Sequence, residues 1–287
     1  MFFDFLTGKG HVCAHRGARS LAPENTLLAA KVALESGADF WELDVHKVAD
    51  GTLMIFHDDV LSRTTDVATH PYFVGGGPWE AHVYTGEELR QLDAGSWFLQ
   101  TDPFGSIARG DIPAETLEEM PGLKIPTLRE ALEFCRKHDF PVNVEIKDQF
   151  QSPGDLSIVE EVLHVARETD TTDLILLSSF NHAYLTRMRY LAPDLPLAAL
   201  VEKEHPEDIR DYLKRLGAKG YHPREDILDS GLAQSLSSEG IQVSPFTVND
   251  MEQAQSLLDA GCFGIITDFP HTLRDRIPSD ACCRISA

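Results

Sequence analysis

The second half of the chain alternates short apolar runs with amphipathic helical segments, and this alternation limits the possible folds more than any other feature. The expected strands are 142–147 (VNVEIK), 174–180 (LILLSSF), 197–201, one ending at Tyr221-His222, 241–248 and 264–267 (GIIT). Between them lie expected helices at 156–168, 183–190, 207–216, 227–235 and 251–260. Strand runs rich in β-branched and aliphatic residues, separated by helices, read as parallel strands buried on both faces.

The start of the chain fits the same scheme. Residues 11–15 (HVCAH) form a buried run ending in the turn His15-Arg16-Gly17. Pro23 marks the start of a helix over 24–36, with Leu27, Leu28, Ala30 and Leu34 on one face and Gly37 as its stop. Residues 40–47 and 53–57 alternate apolar and polar side chains around Asp50-Gly51, a strong hairpin signal. Counting the hairpin as one unit gives eight strands. No Gly-rich dinucleotide turn follows any strand, so the expected fold is an α/β, (β/α)8 TIM-type barrel rather than a doubly wound sheet. At 287 residues the chain suits a single barrel domain. Residues 60–124 break the pattern with a Gly75-Gly76-Gly77-Pro78 segment and a short helical stretch at 86–92, and are expected to form an inserted subdomain. Thr127 with Glu130 forms a capping box for the next helix, 128–137.

Charge narrows the functional classes. A formal net charge of −21 and a pI near 4.8 argue against a nucleic-acid or anionic-membrane partner, and an anionic substrate would need local positive charge. No apolar run approaches membrane-spanning length. The apolar patch in MFFDFLTGKG lacks the features of a secretory signal and is expected to pack under the fold, which points to a cytoplasmic protein. The five cysteines (Cys13, Cys135, Cys262, Cys282 and Cys283) have no CxxC spacing and suggest neither a disulfide framework nor structural zinc.

The hairpin carries the first sign of chemistry. With Asp50-Gly51 as a two-residue loop, Asp44 falls opposite His57, and Glu42, Asp44 and His57 share one face. Two carboxylates about 4 Å apart repel by about 4 kcal/mol at an effective dielectric near 20, so a cation is expected between them. Barrel enzymes place reactive groups at the C-terminal ends of strands. There this sequence has His15 and Arg16, then Glu42, Asp44 and His57, then Glu145 and Lys147. Three hard oxygen ligands without a cysteine suit one divalent cation, Mg²⁺ or Ca²⁺. Arg16 and Lys147 suit a phosphate, and two histidines suit acid and base on either side of a bond being broken. A lone histidine at a strand end is more often structural, a Glu-x-Asp pair is usually a solvated face, and Glu145 with Lys147 can be a simple ion pair. His46 shares the Asp44 side of its strand and competes for a role. Convergence on one end of one barrel favours metal-assisted cleavage of a small-molecule phosphodiester.

The chain also resembles the glycerophosphodiester phosphodiesterase family. The resemblance rests on AHRGARSLAPENT (14–26), WELDV (41–45), FHDDVLSRTTD (56–66), LDAGSWF (92–98), IPTLREAL (125–132), VNVEIK, SSF, PFTVND (245–250) and GIITDFP (264–270), in order over nearly the whole chain. It implies a TIM-type barrel with a small insertion, His15 and His57 as the acid–base pair, and Glu42, Asp44 and Glu145 as metal ligands. It also implies Arg16 and Lys147 on the phosphate, with Asn25 supporting the site. Phe246 stands where the family usually has Trp, slimming a wall of the substrate site, and Phe263 replaces a common Asp. The implied reaction is hydrolysis of glycerophosphodiesters to sn-glycerol 3-phosphate and an alcohol. A lysophospholipid or other lipid-linked diester is the alternative substrate, and a phospholigand-binding barrel without turnover is the alternative of another class.

Overall fold

A computed structural model describes residues 1–73, 75–149 and 155–277. Its strands are β1 (His11–Ala14), β2 (Phe40–Lys47), β3 (Leu53–Ile55), β4 (Val142–Ile146), β5 (Ile175–Ser179), β6 (Leu197–Val201), β7 (Gly220–Pro223), β8 (Gln242–Val243) and β9 (Gly264–Thr267). The order is β8-β7-β6-β5-β4-β2-β1-β9, with every neighbour parallel and β3 appended antiparallel to β2. Backbone bonds from Phe263 N to Val243 O (2.8 Å) and from Ile266 N to Pro245 O (3.1 Å) join the two ends. The result is the expected eight-stranded α/β barrel with helices outside.

Strand alternation divides the core in two. Trp41, Leu43, Val45, Val144, Leu177, Ala199 and Tyr221 meet the surrounding helices in one continuous apolar layer. The opposite faces carry Phe40, Glu42, Asp44, Asn143, Glu145, Ser178 and Ala198 into the barrel. The floor is closed by the N-terminal segment, as its sequence suggests. Helix Phe2–Phe5 buries Phe2, whose ring meets Phe40 edge-on at 5.2 Å, and Phe3 meets Phe263 in the same way at 5.3 Å. The aromatic at 263 thus belongs to the floor.

Several element boundaries differ from expectation. The first outer helix runs Leu27–Glu35, not 24–36, because Asn25 is left-handed (φ 57°) and Thr26 is the true N-cap, its hydroxyl accepting from Ala29 N at 3.1 Å. Helix Leu128–His138 begins as expected at the Thr127–Glu130 capping box. Of the expected strand 241–248 only Gln242–Val243 is regular strand, although backbone bonds to the neighbouring strand continue beyond it, from Ser244 N to Tyr221 O (3.0 Å) and from Phe246 N to Pro223 O (3.1 Å). The helix expected at 227–235 is Ser230–Ser238, capped by Asp229. The stretch expected at 86–92 keeps one turn, Gly86–Leu89, behind a Thr85–Glu88 capping box.

The hairpin register is the main correction. Val45 pairs with Ile55 and Lys47 with Leu53, so Asp44 lies level with Phe56 and not with His57. Residues 49–51 form a three-residue loop closed by Val48 N to Thr52 O (3.0 Å), with Gly51 at φ 85°. This is the longer of the common hairpin loops, and one extra loop residue moves every pairing by one and exchanges the two faces. Phe56 therefore takes the Asp44 side and stacks on His46 at 4.4 Å. His57 reaches the site only because β3 ends at Ile55 and the chain turns.

Between the hairpin and helix Leu128–His138 lie short helices at Gly86–Leu89, Ser96–Thr101, Ser106–Arg109 and Ala114–Glu119. Leu61, Val67, Phe73, Ala81, Leu89 and Leu92 pack with Val48, Met54 and Phe56 of the hairpin. Phe98, Ile112 and Met120 join the main core instead. Cys13, Cys135 and Cys262 are free and buried, and Cys282 and Cys283 lie outside the described residues.

Candidate active site and metal centre

Parallel pairing of β2 with β4 sets Glu42 beside Asn143 and Asp44 beside Glu145. Glu42, Asp44 and Glu145 are all buried, and their carboxylate oxygens lie within 4.8 Å of one another. Two cations reach the cluster from the turn after β1 and the end of β4. Arg16 Nε stands 3.3 Å from Asp44, and Lys147 Nζ stands 3.5 Å from Asp44 and 2.8 Å from Glu145. Lys147 and Glu145 are thus an ion pair, but one that also faces Asp44.

Glu42 is the least satisfied member. One oxygen accepts from the Arg16 backbone N–H at 2.9 Å, and the other, Oε1, has no hydrogen-bond partner. Burial, reinforced by Asp44 and Glu145, holds the Glu42 carboxyl well above its ordinary value. Burial also raises Glu145, with Asp44 adding to it and Lys147 opposing. At Asp44, burial is outweighed by Lys147, Arg16 and His57, and the group stays ionised far below the usual carboxylate range. Three carboxylates against two nearby cations, with one orphaned buried oxygen, form a set that a single hard divalent cation would complete.

Asn25 is fixed to this cluster by two bonds, Nδ2 to Asp44 Oδ2 (2.8 Å) and Asp44 N to Asn25 Oδ1 (3.1 Å). Arg16 and Asn25 are both left-handed, and Asn25 N donates to Arg16 O at 3.0 Å. Left-handed backbone disfavours side chains other than Asn, Asp and Gly, so the arginine conformation is held by its surroundings.

Each candidate histidine is tied to an aspartate through Nδ1. His15 Nδ1 lies 2.7 Å from Asp268 Oδ1, and His57 Nδ1 lies 2.7 Å from Asp58 Oδ1. A carboxylate accepts, so Nδ1 carries the hydrogen and Nε2 is left for proton exchange. Burial, with Arg16 beside it, pushes the His15 pKa down, which keeps the ring neutral at pH 7.

A second network lies behind both histidines. Glu24, buried, accepts from Arg16 (2.8 Å), Arg19 (2.8 Å) and Arg63 (2.9 and 2.7 Å). Arg63 also holds Asp58 at 2.6 Å, and Arg19 lies 3.4 Å from Asp268. Asn249 donates to the other Asp268 oxygen at 2.8 Å. Glu24 therefore links the two His–Asp pairs. Sequence reasoning assigned Glu24, Asp58, Asp268, Arg19 and Arg63 no role. Their only signal was their presence inside the PENT, HDD, GIITD and adjacent motifs.

The remaining candidates separate. Phe246 meets Phe180 edge-on at 5.7 Å, and Phe180, just past β5, is 40% exposed. His46 is not part of the cluster; its Nε2 lies 3.1 Å from His57 O. His182 bonds Tyr212 Oη and Leu200 O, and His205 bonds Tyr221 Oη and Ile227 O, so both are structural. No described helix is long and apolar enough to cross a membrane.

Comparison with known proteins identifies the family. The glycerophosphoryl diester phosphodiesterase family model matches residues 15–272. A glycerophosphodiester phosphodiesterase of Bacillus altitudinis is 35% identical over 266 residues, covering 90% of this chain and 94% of the relative. One from Caldanaerobacter subterraneus subsp. tengcongensis is 34% identical, covering 91% and 95%. Among solved structures, an Oleispira antarctica phosphodiesterase in complex with the product sn-glycerol-3-phosphate is 30% identical, with a TM-score of 0.77 over 95% of this chain and 97% of that one. With the family model spanning nearly the whole barrel, the chain belongs to the glycerophosphoryl diester phosphodiesterase family and is an enzyme of that class.

Proposed function

We propose that the protein hydrolyses glycerophosphodiesters to sn-glycerol 3-phosphate and an alcohol, with His15 and His57 as base and acid around a divalent cation held by Glu42, Asp44 and Glu145. The observation that carries this reading is the pair of histidines, each fixed through Nδ1 by its own aspartate, beside a buried cluster of three carboxylates. The related Oleispira antarctica enzyme holds sn-glycerol 3-phosphate, which supports the substrate class.

When bound, Mg²⁺ or Ca²⁺ would supply charge to the phosphoryl oxygens and acidify the attacking hydroxyl. Arg16 and Lys147 add positive charge where a phosphodiester anion must sit, despite the net charge of −21. Asn25 keeps Asp44 oriented. Neutral His15 accepts the proton of the attacking hydroxyl at Nε2 while Asp268 stabilises the imidazolium that forms. His57, in its doubly protonated form with Nδ1–H held by Asp58, delivers its Nε2 proton to the departing alkoxide and is left neutral. Phe246 forms a wall of the substrate cleft, and residues 60–124 act as an insertion shaping its mouth.

Release of sn-glycerol 3-phosphate from glycerophosphocholine, measured after EDTA and again with Mg²⁺ or Ca²⁺ restored, tests the reading. Metal-dependent release is expected; none with either ion, from folded protein, overturns it. The exposed Phe180 beside Phe246 favours a second substrate class, lipid-linked diesters, which metal-dependent release of choline from lysophosphatidylcholine examines.

A further inference from the structure

The two histidines are not held alike. His15 follows β1 directly, and its N–H still donates to Thr267 O at 3.0 Å. His57 lies past the end of β3, and its side chain is 32% exposed against 13% for His15. The His57 carbonyl accepts from Nε2 of His46, buried and stacked on Phe56, at 3.1 Å, which holds the backbone. The ring has no hydrogen-bond partner other than Asp58 among the described residues. A general acid works only when its proton is within hydrogen-bond reach of the departing oxygen, so Asp58 must itself be fixed.

Asp58 is fixed by one further side chain, Arg63. The guanidinium presents two edges. Nε and Nη2 meet the Asp58 oxygens at 2.6 and 3.0 Å, while Nη1 and Nη2 meet the Glu24 oxygens at 2.9 and 2.7 Å. Two bidentate contacts by one planar group set direction as well as distance. Glu24 is the anchored end. It is buried and accepts from Arg16 and Arg19 at 2.8 Å each, and Arg16 in turn stands 3.3 Å from Asp44. A buried carboxylate is costly unless paired, which keeps both oxygens committed. An unbroken path, His57–Asp58–Arg63–Glu24–Arg16, thus joins the acid to the carboxylate cluster. On the other side, Asp268 is held by Asn249 at 2.8 Å as well as by Arg19 at 3.4 Å. Asp58 has no such second support among the described residues.

We propose that Arg63 and Glu24 are positioning residues for the acid: their bridge fixes Asp58 and so aims His57 Nε2 at the departing oxygen. The proposal rests on the hydrolysis set out above. Arg63 belongs to residues 60–124, so that segment serves the acid directly as well as the mouth of the cleft.

Two leaving groups separate this role from a structural one. An alkyl alcohol such as choline needs a proton to leave, whereas p-nitrophenolate leaves with little help. The measured quantity is the ratio of kcat for glycerophosphocholine to kcat for the p-nitrophenyl diester of glycerol 3-phosphate. Arg63→Gln and Glu24→Gln should each lower this ratio about tenfold, and Arg63→Lys should not restore it, because one ammonium cannot grip two carboxylates bidentately. Against a His57→Ala background, where the ratio is already low, Arg63→Gln should change it no further. General weakening of the fold lowers both activities alike, so an unmoved ratio, or an equal further fall in the double variant, overturns the proposal.

A second measurement needs no turnover. In protein carrying nitrogen-labelled histidine, the Nδ1 resonance of His57, identified by its loss in His57→Ala, should shift in Arg63→Gln and in Glu24→Gln. That of His15 should stay in place in Arg63→Gln. The expected shifts support the bridge even if no diester is cleaved, an outcome that counts against the hydrolysis alone. An unmoved His57 resonance overturns the proposal even if diesters are cleaved.

Discussion

At the scale of single residues, the site depends on how each ionisable group is held. His15→Ala and His57→Ala should each lower kcat by about 10²–10⁴-fold, the usual contribution of a positioned acid or base. Activity within about twofold of wild type would remove the residue from the mechanism. Glu24 makes a different prediction, because it touches three arginines and neither histidine. Its carboxyl is buried, and Arg63, Arg16 and Arg19 overcome that burial to hold it at about 2, against an ordinary 4.5. A depressed carboxylate contributes stability that is present above about pH 4.5 and lost as pH falls toward 2. The gap corresponds to about 3 kcal/mol at neutral pH. Urea titrations from pH 7 to pH 3 should show a shallower loss of stability in Glu24→Gln than in wild type. A wild-type slope in the variant would show that Glu24 is not a source of the acid sensitivity.

At the scale of elements, the floor of the barrel and the hairpin behave differently. Phe2 is fully buried against Phe40 on a helix of four residues that could not hold together in isolation. Its packing against the barrel is what fixes it, so Phe2→Ala should cost about 3–5 kcal/mol in chemical denaturation while leaving KM near wild type. A cost below 1 kcal/mol would mean the segment is only loosely docked. At the other end of β1, a Cβ on Gly17 would lie 2.6 Å from the Ala29 side chain and 2.8 Å from its carbonyl oxygen, at φ 80°. Gly17→Ala must therefore push the first outer helix away from the turn that carries Arg16. The thermal midpoint should fall and KM for the diester should rise together; an unchanged KM would separate Gly17 from the site.

At the scale of the whole molecule, charge sets two expectations. With a net charge of −21, the protein repels an anionic diester at long range, and added salt screens that repulsion. At saturating metal, kcat/KM for an anionic glycerophosphodiester should rise between low and physiological ionic strength, whereas a fall would indicate that local cations dominate the approach. The three carboxylates of Glu42, Asp44 and Glu145 are short of positive charge when no cation is bound. Mg²⁺ or Ca²⁺ should raise the thermal midpoint in a concentration-dependent way. Asp44→Asn should abolish that shift, and a shift that persists would place the ion elsewhere.

Local pattern was enough to establish the architecture and most of the candidate chemistry. The alternation of buried strands and amphipathic helices is a property of neighbouring residues, and it led to the eight-stranded barrel. Strand parity likewise put Glu42 with Asp44 and Glu145 with Lys147 on shared faces. What parity could not supply was the hairpin register, because a loop of two residues and one of three differ only in how Gly51 closes the turn, and that difference moved His57 off the strand face assigned to it. Asn25 likewise read as helix, since the pull of Asp44 on its side chain comes from a strand elsewhere in the chain. The Glu24 network was also hidden, because Asp268 meets His15 across 253 positions of sequence and Arg63 meets Glu24 across 39. The sequence alone determined which side chains each strand end could offer. Only closure of the barrel decided which of them meet, since long-range contact is set by the packing of strands and helices and not by spacing along the chain.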